Sequence, residues 1–233
     1  MKKLYKILIK QQQQIINNMK VLHEFKQKIG SGDSEKEYTI KLKDISRRDR
    51  ANLSVVYNAE YGKALARGLA PHSVLRKSAI NSGGLLANSD IERAEELYRS
   101  VMAKLNEKTA LLVDKEYDKA EALNKEIESL WAEYQEYEKP ANLLYSRSAE
   151  FEAEKNAVMW VVLSSTYIED GEGSGEAFPG GTDESRLNYY YECAEAEREL
   201  ETKVFDKSYS CFHQYVKNPE SVSKDLFEAL TGD

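Results

Sequence analysis

Apolar residues recur along most of this chain at steps of three, four or seven, the spacing of one face of an α-helix. Between residues 2 and 29 the stripe is Leu4, Leu8, Ile15, Met19, Leu22 and Ile29. It predicts one helix, with Gln11–Gln14 on its solvated side. Gly30-Ser31-Gly32-Asp33-Ser34 predicts a flexible break. Tyr38–Leu42 alternates apolar and polar, and reads either as a short strand without a partner or as an extended lead-in. Ser46 with Asp49 marks a helix start, and Leu53, Val56, Tyr57, Tyr61, Ala64 and Leu65 follow at helical spacing. Gly68 is placed to end that helix in a left-handed cap. Pro71 opens a shorter helix carrying Val74, Leu75 and Ala79, which Gly83-Gly84 ends.

The strongest periodic segment follows. Ser89 and Glu92 have capping-box spacing, and residues 90–139 contain neither Gly nor Pro before Pro140. The ladder reads Ile91, Ala94, Tyr98, Val101, Leu105 and Leu112, then Ala120, Leu123, Ile127, Leu130, Tyr134 and Tyr137. Its second half is a heptad, and its first half follows 91, 98, 105 and 112, one residue out of phase. The expectation is one unbroken helix of about 75 Å; the alternative is a hairpin broken near Asn106–Thr109. A helix over 141–168 follows, apolar on all sides around Trp160, as in the most buried part of a fold. An acidic Gly-rich loop at 169–181 leads to a last long helix ending before Pro219, then a short end with Leu226, Phe227 and Leu230.

These elements predict an all-α protein, an elongated helical bundle or coiled coil with one long central helix. Its parts are a basic N-terminal helix or arm (1–30), a short-helix region (31–88), a long-helix bundle (89–218) carrying the loop 169–181, and an amphipathic tail (219–233).

Composition agrees with a folded helical chain. It holds 15 Tyr, 6 Phe and 2 Trp, too many aromatics for a disordered protein, and only 4 Pro. Two Cys cannot form a disulfide scaffold; Cys193 and Cys211 read as reduced, buried thiols. The net charge of −7 divides into +6 on residues 1–30 and −13 on the rest. That asymmetry suits an arm that contacts nucleic-acid phosphate, a membrane surface, or an acidic protein surface, its own body included. Lys6 and Lys10 interrupt the first apolar run, which argues against a signal peptide. No stretch approaches the length of a membrane span, and a soluble intracellular protein is expected.

Candidate chemistry is sparse. His23, His72 and His213 have no metal-compatible neighbour at i+3 or i+4, and no Glu-x-x-His occurs. Gly171–Gly175 lacks the Lys-Ser/Thr of a phosphate loop and is flanked by Glu169, Asp170 and Glu176. The segment also lacks the ligand spacing of an EF-hand. No catalytic residue, metal or cofactor is expected. Arg47, Arg48 and Arg50 cluster at a helix start and could join Lys2, Lys3, Lys6 and Lys10 against nucleic acid. Tyr189-Tyr190-Tyr191 cannot all face one way on a helix, so at least one ring is exposed or meets a partner.

The layout from Tyr38 to Tyr98 resembles coiled-coil assembly and structural proteins of T4-like tailed bacteriophages. It runs Leu42-x-Asp44-Ile45-Ser46, Tyr57-x3-Tyr61, Arg67-Gly68-Leu69-x-Pro71, Ser78-x4-Gly83-Gly84-Leu85-Leu86 and a Glu/Lys-rich helix, with Phe178-Pro179-Gly180-Gly181-Thr182 later. The resemblance implies a non-enzymatic tail or baseplate assembly chaperone or virion component, in the host cytoplasm or the virion, bound to a helical viral structural protein or to itself. Ile127, Tyr134 and Tyr190 are the expected partner-binding residues. The alternative is a nucleic-acid-binding protein using the basic arm.

Overall fold

Val21–Ile29 is extended, not helical, and this difference changes the fold class. The computed structural model describes residues 19–30, 35–83, 87–170, 173–219 and 222–232. Among them about 70% are helical, in eight helices, beside one four-stranded antiparallel sheet. The all-α elongated bundle with one long central helix is therefore corrected. The chain divides into two units, residues 1–60 with 154–233, and residues 61–153.

In the first unit the sheet order is β1 (Val21–Ile29), β2 (Lys36–Lys43), β3 (Thr166–Asp170) and β4 (Gly173–Glu176). β1 pairs with β2 from Val21 to Ile29, with a register shift between Val21 and His23, and Phe25 lies opposite Ile40. β2 then takes β3 from a distant part of the chain, Ile40 opposite Ile168 and Leu42 opposite Thr166. The partner that the 38–42 alternation lacks locally is thus supplied from both sides. β1 escapes a sequence reading because its inward positions are His23, Phe25 and Gln27, two of them polar. Period-two alternation is hidden when polar groups point inward. The acidic segment read as a loop at 169–181 is instead largely the β3–β4 hairpin, with residues 171–172 outside the described residues.

The unit's core lies on the inner face of the sheet. Phe25, Ile40 and Leu42 meet Val158, Val161 and Val162 from α5 (Ala149–Ser165) and Val204, Phe205, Cys211 and Phe212 from α7 (Glu199–Lys217). Numbered in the same chain order, the other helices are α1 (Arg47–Ala66), α2 (His72–Asn81), α3 (Asn88–Val113), α4 (Tyr117–Tyr145), α6 (Asp183–Glu195) and α8 (Lys224–Thr231). Phe227 of α8 is buried against His23, their rings 5.0 Å apart, so the short amphipathic end is part of the core.

The second unit is built on α3 and α4, which pair as a hairpin rather than continuing as one helix. The break lies at Asp114–Glu116, beyond the position considered for a hairpin. There Lys115 adopts a left-handed φ of 61°. Its N–H donates to the Leu112 carbonyl, and the Glu116 N–H donates to the Leu111 carbonyl. This is the bonding of a Schellman cap, which usually carries glycine. The same cap, with Glu197 at φ 50°, divides the predicted 183–218 helix into α6 and α7. Gly68 forms the expected left-handed cap after α1.

Two other start and stop signals resolve differently. Ser46 and Asp49 do cap α1 reciprocally, and Thr182 caps α6 through Ser185. Ser89 does not cap α3, which begins at Asn88 with no side-chain cap. Pro140 lies inside α4 near its end, where the helix runs on to Tyr145.

Candidate functional site

The hairpin has two unlike faces. Its seam is set by Ala94, Leu97, Val101, Lys104, Lys108 and Leu111 on α3, alternately three and four apart and all at least half-buried. α4 answers with Ala120, Leu123, Ile127, Leu130, Tyr134 and Tyr137. On one side of this seam Arg93 pairs with Glu133 at 2.8 Å and Lys104 with Glu126 at 3.2 Å. The hydrogen bonds that Glu133 and Glu126 accept raise the affinity of these two cations for their protons above the ordinary values.

The α3 half of the other side is apolar, while α4 sets Asn124, Glu128 and Gln135 beside Trp131 there. Tyr98, Met102, Leu105, Leu112 and Val113 on α3, with Tyr117 and Trp131 on α4, are large hydrophobics left exposed. At 100° per residue, all of these project to the flank opposite the ion pairs. The ring contacts agree: Tyr98 meets Tyr134 at 5.7 Å, and Trp131 meets Tyr134 at 5.2 Å. Tyr98 is 46% and Trp131 41% exposed although both lie against this cluster. The Tyr134 hydroxyl donates to Glu138 at 2.5 Å. Partial burial, helped by that bond, pushes the Tyr134 phenol up to about 12.

At the base of the hairpin the same face deepens into a groove of about 420 Å³, lined by His72, Arg76, Ile91, Tyr98, Tyr134 and Tyr137 among others. His72 Nε2 is buried there without a hydrogen-bond partner. The ring meets Tyr145 edge-on at 5.4 Å, and the His72 backbone N–H donates to Glu150 at 2.8 Å. Glu150 thereby occupies the first turn of α2.

The residues expected to bind a partner fall in different settings. Ile127 and Tyr134 are half-buried on the seam side of α4. Tyr190 belongs to the first unit, where its ring stacks on Phe205 at 4.0 Å. Of its neighbours, Tyr189 donates to Glu201 at 3.1 Å, and Tyr191 is the exposed ring of the triplet. Met102 and Trp131 stand outside the apolar ladder read from the sequence. Their signal was the phase slip: 98, 105 and 112 form a second stripe beside the true seam at 94, 97, 101, 104, 108 and 111. An apolar arc that wide has more surface than one helix partner covers.

Among the described residues, part of the basic set is engaged. Lys2, Lys3, Lys6 and Lys10 lie outside the described residues. Further along the same segment, Lys20, Lys26 and Lys28 pair with Asp44, Glu37 and Glu35 at 2.5, 2.7 and 3.2 Å. This part of the basic segment meets the protein's own acids across the β1–β2 hairpin. Arg47, Arg48 and Arg50 are exposed, and Arg50 also donates to the Tyr215 hydroxyl at 2.9 Å and lies over its ring.

The remaining candidate chemistry is held in packing. His23 Nε2 lies 3.4 Å from Thr231 Oγ1, and His213 Nε2 lies 3.3 Å from Glu154, its ring stacked on Tyr209. Cys193 and Cys211 are free and buried, and burial pushes the Cys211 thiol up to about 12. Among the described residues no group of three or more His, Cys, Asp or Glu is placed to hold a metal. Nor is any described helix long and apolar enough to cross a membrane. No family model, curated protein or solved structure matches the chain.

Proposed function

We propose that this chain is a non-catalytic assembly protein that docks a helical protein surface on the apolar face of the α3–α4 hairpin. The observation that carries the reading is the sorting of exposed large hydrophobics, from Tyr98 to Trp131, onto one flank while ion pairs line the other. Contiguous exposed apolar patches of more than a few hundred Å² mark interaction sites, because water contact with them is unfavourable. Aromatic and Met side chains add area at low entropic cost. The layout resemblance to T4-like phage proteins makes a tail-assembly chaperone or virion component the class within this reading.

Replacing Met102 and Trp131 together by Lys tests it. Both are exposed, so helical circular dichroism is expected to hold while partner association is lost. Association that survives in a well-folded double variant removes the reading. Of the described set of the nucleic-acid alternative, Arg47, Arg48 and Arg50 are exposed, and Arg50 is bonded to Tyr215. It requires retention on DNA or RNA at low salt that falls steeply as salt rises.

A further inference from the structure

The segment that leads into the hairpin is basic. Residues 61–87 carry Lys63, Arg67, Arg76 and Lys77 and neither Asp nor Glu. Arg67 pairs with Glu152 at 3.4 Å. Arg76 and Lys77 are exposed on α2 and make no ion pair or hydrogen bond among the described residues.

His72 and Arg76 are four residues apart, so they stand on one face of α2, a turn from each other. With Ile91 of α3, they line two hollows at once. One is the groove of about 420 Å³ described above. The other, about 570 Å³, adds Ser73, Lys77, Asn88 and Tyr145.

The two hollows differ in chemistry. The groove is walled by the rings of Tyr98, Tyr134 and Tyr137. Its other charged groups are already bonded, Arg99 to Glu95 at 3.4 Å and Glu138 to the Tyr134 hydroxyl. Such walls suit a flat ring, which meets aromatic side chains offset or edge-on. The second hollow offers the Ser73 hydroxyl, the Asn88 amide and the two unpaired cations. Glu150, the carboxylate in its lining, is bonded to the His72 N–H. His72 Nε2 is buried with no partner, so a group that reaches it makes a bond the protein leaves unmade.

We infer that these hollows form one binding site for a small aromatic anion. Its ring lies against the tyrosines, and its carboxylate or phosphate lies on Arg76, with Lys77 and Ser73 beside it. A guanidinium holds either group through two parallel hydrogen bonds, which an ammonium cannot do. Each hollow falls within the size of small-molecule sites, roughly 300–1,000 Å³.

The acidity of the hairpin does not bar an anion. Its fourteen Asp and Glu and eight Lys and Arg are spread over residues 88–145. Exposed charges are screened within about 8 Å at physiological salt, whereas Arg76 and Lys77 act at contact distance. A cationic ligand would meet those two first, and the carboxylates around it are already bonded.

Titration calorimetry of the full chain with naphthoate and naphthyl phosphate tests the site. Naphthylmethanol and naphthylmethylammonium are the neutral and cationic counterparts. The expected result is one saturable site with a Kd of about 1 mM or below for an anion. The neutral and cationic compounds should bind about tenfold more weakly. Arg76→Ala should weaken the anion by about tenfold and change the neutral compound by less than about twofold. Arg76→Lys should keep part of the preference for anions. Tyr98→Ala should weaken all four compounds, because it removes a wall of the groove. Both side chains are exposed, so helical circular dichroism should hold. Arg48→Ala, an exposed cation on α1, should bind as the wild type does.

Tighter binding of naphthyl phosphate would make the natural ligand a phosphorylated aromatic, and tighter binding of naphthoate an aromatic carboxylate. The inference is overturned if neither anion binds at about 10 mM, or if the cationic compound binds as tightly as the anions. Equal anion binding by a folded Arg76→Ala variant also overturns it.

Discussion

The ring of Tyr98 lies 5.7 Å from the ring of Tyr134, across the seam where α3 meets α4. Tyr134 is half-buried and spends its hydroxyl on Glu138, while Tyr98 is left partly in solvent. The pair joins the interior of the hairpin to its exposed face.

Tyr134 should leave a mark on alkaline titration. Its phenol is raised from 10.0 to about 12 in the folded protein. The unfolded chain therefore loses this proton first, and stability present below pH 10 is lost as pH rises toward 12. Tyr134→Phe should make the alkaline fall in stability shallower and remove one late-ionising tyrosine from the ultraviolet titration. Loss of a tyrosine that ionises near the ordinary value of 10.0, rather than a late one, would show that the phenol is not raised.

Seam and flank should respond oppositely to truncation. Leu97 and Val101 are buried, so Leu97→Ala should cost about 2–5 kcal/mol and lower helicity on heating. Met102→Ala, on the exposed flank, should cost no more than about 0.5 kcal/mol. Lys at Ile127 or Tyr134 should behave like the seam change and unfold the hairpin, because both positions are half-buried. Urea unfolding followed by circular dichroism ranks them.

The left-handed caps should welcome glycine. Lys115 and Glu197 hold φ values of 61° and 50°, which cost a non-glycine residue about 1 kcal/mol. Lys115→Gly and Glu197→Gly should each raise the midpoint of thermal unfolding. Lys115→Val should lower it, since a β-branched residue resists positive φ. If the Gly variants melt earlier, the turns are not held this way.

The C-terminal helix should protect the first strand. Phe227 is buried and its ring faces His23 on β1 at 5.0 Å. Phe227→Ala should cost about 3–5 kcal/mol. Amide exchange should quicken in Val21–Ile29 before it does in the α3–α4 hairpin. Equal protection in both places would separate α8 from the core.

Much of the helix content was legible because amphipathic periodicity is local. Gly68 announces its own cap, and the Ser46–Asp49 and Thr182–Ser185 caps need only neighbours in sequence. The exposed apolar stripe of α3 was half legible: Tyr98, Leu105 and Leu112 stood in the ladder, yet they read as the inner stripe of one long helix. The register of α3 against α4 shifts the seam to Leu97 and Val101 and turns that stripe outward. The sheet was least legible, since β2 and β3 are joined by pairing of residues 39–42 with 166–169.

By itself, the sequence determined where helices can form, which termini cap themselves, and that the acids and bases divide unevenly along the chain. Only the tertiary structure decided where the two long periodic stretches break. Lys115 and Glu197 adopt a conformation their side chains disfavour, and packing of the flanking helices outweighs a penalty of about 1 kcal/mol that no local pattern reveals. The same reason covers β1. His23 and Gln27 face inward because the β2 ladder fixes which side of the strand meets the core, and a ladder is a property of two segments, not one.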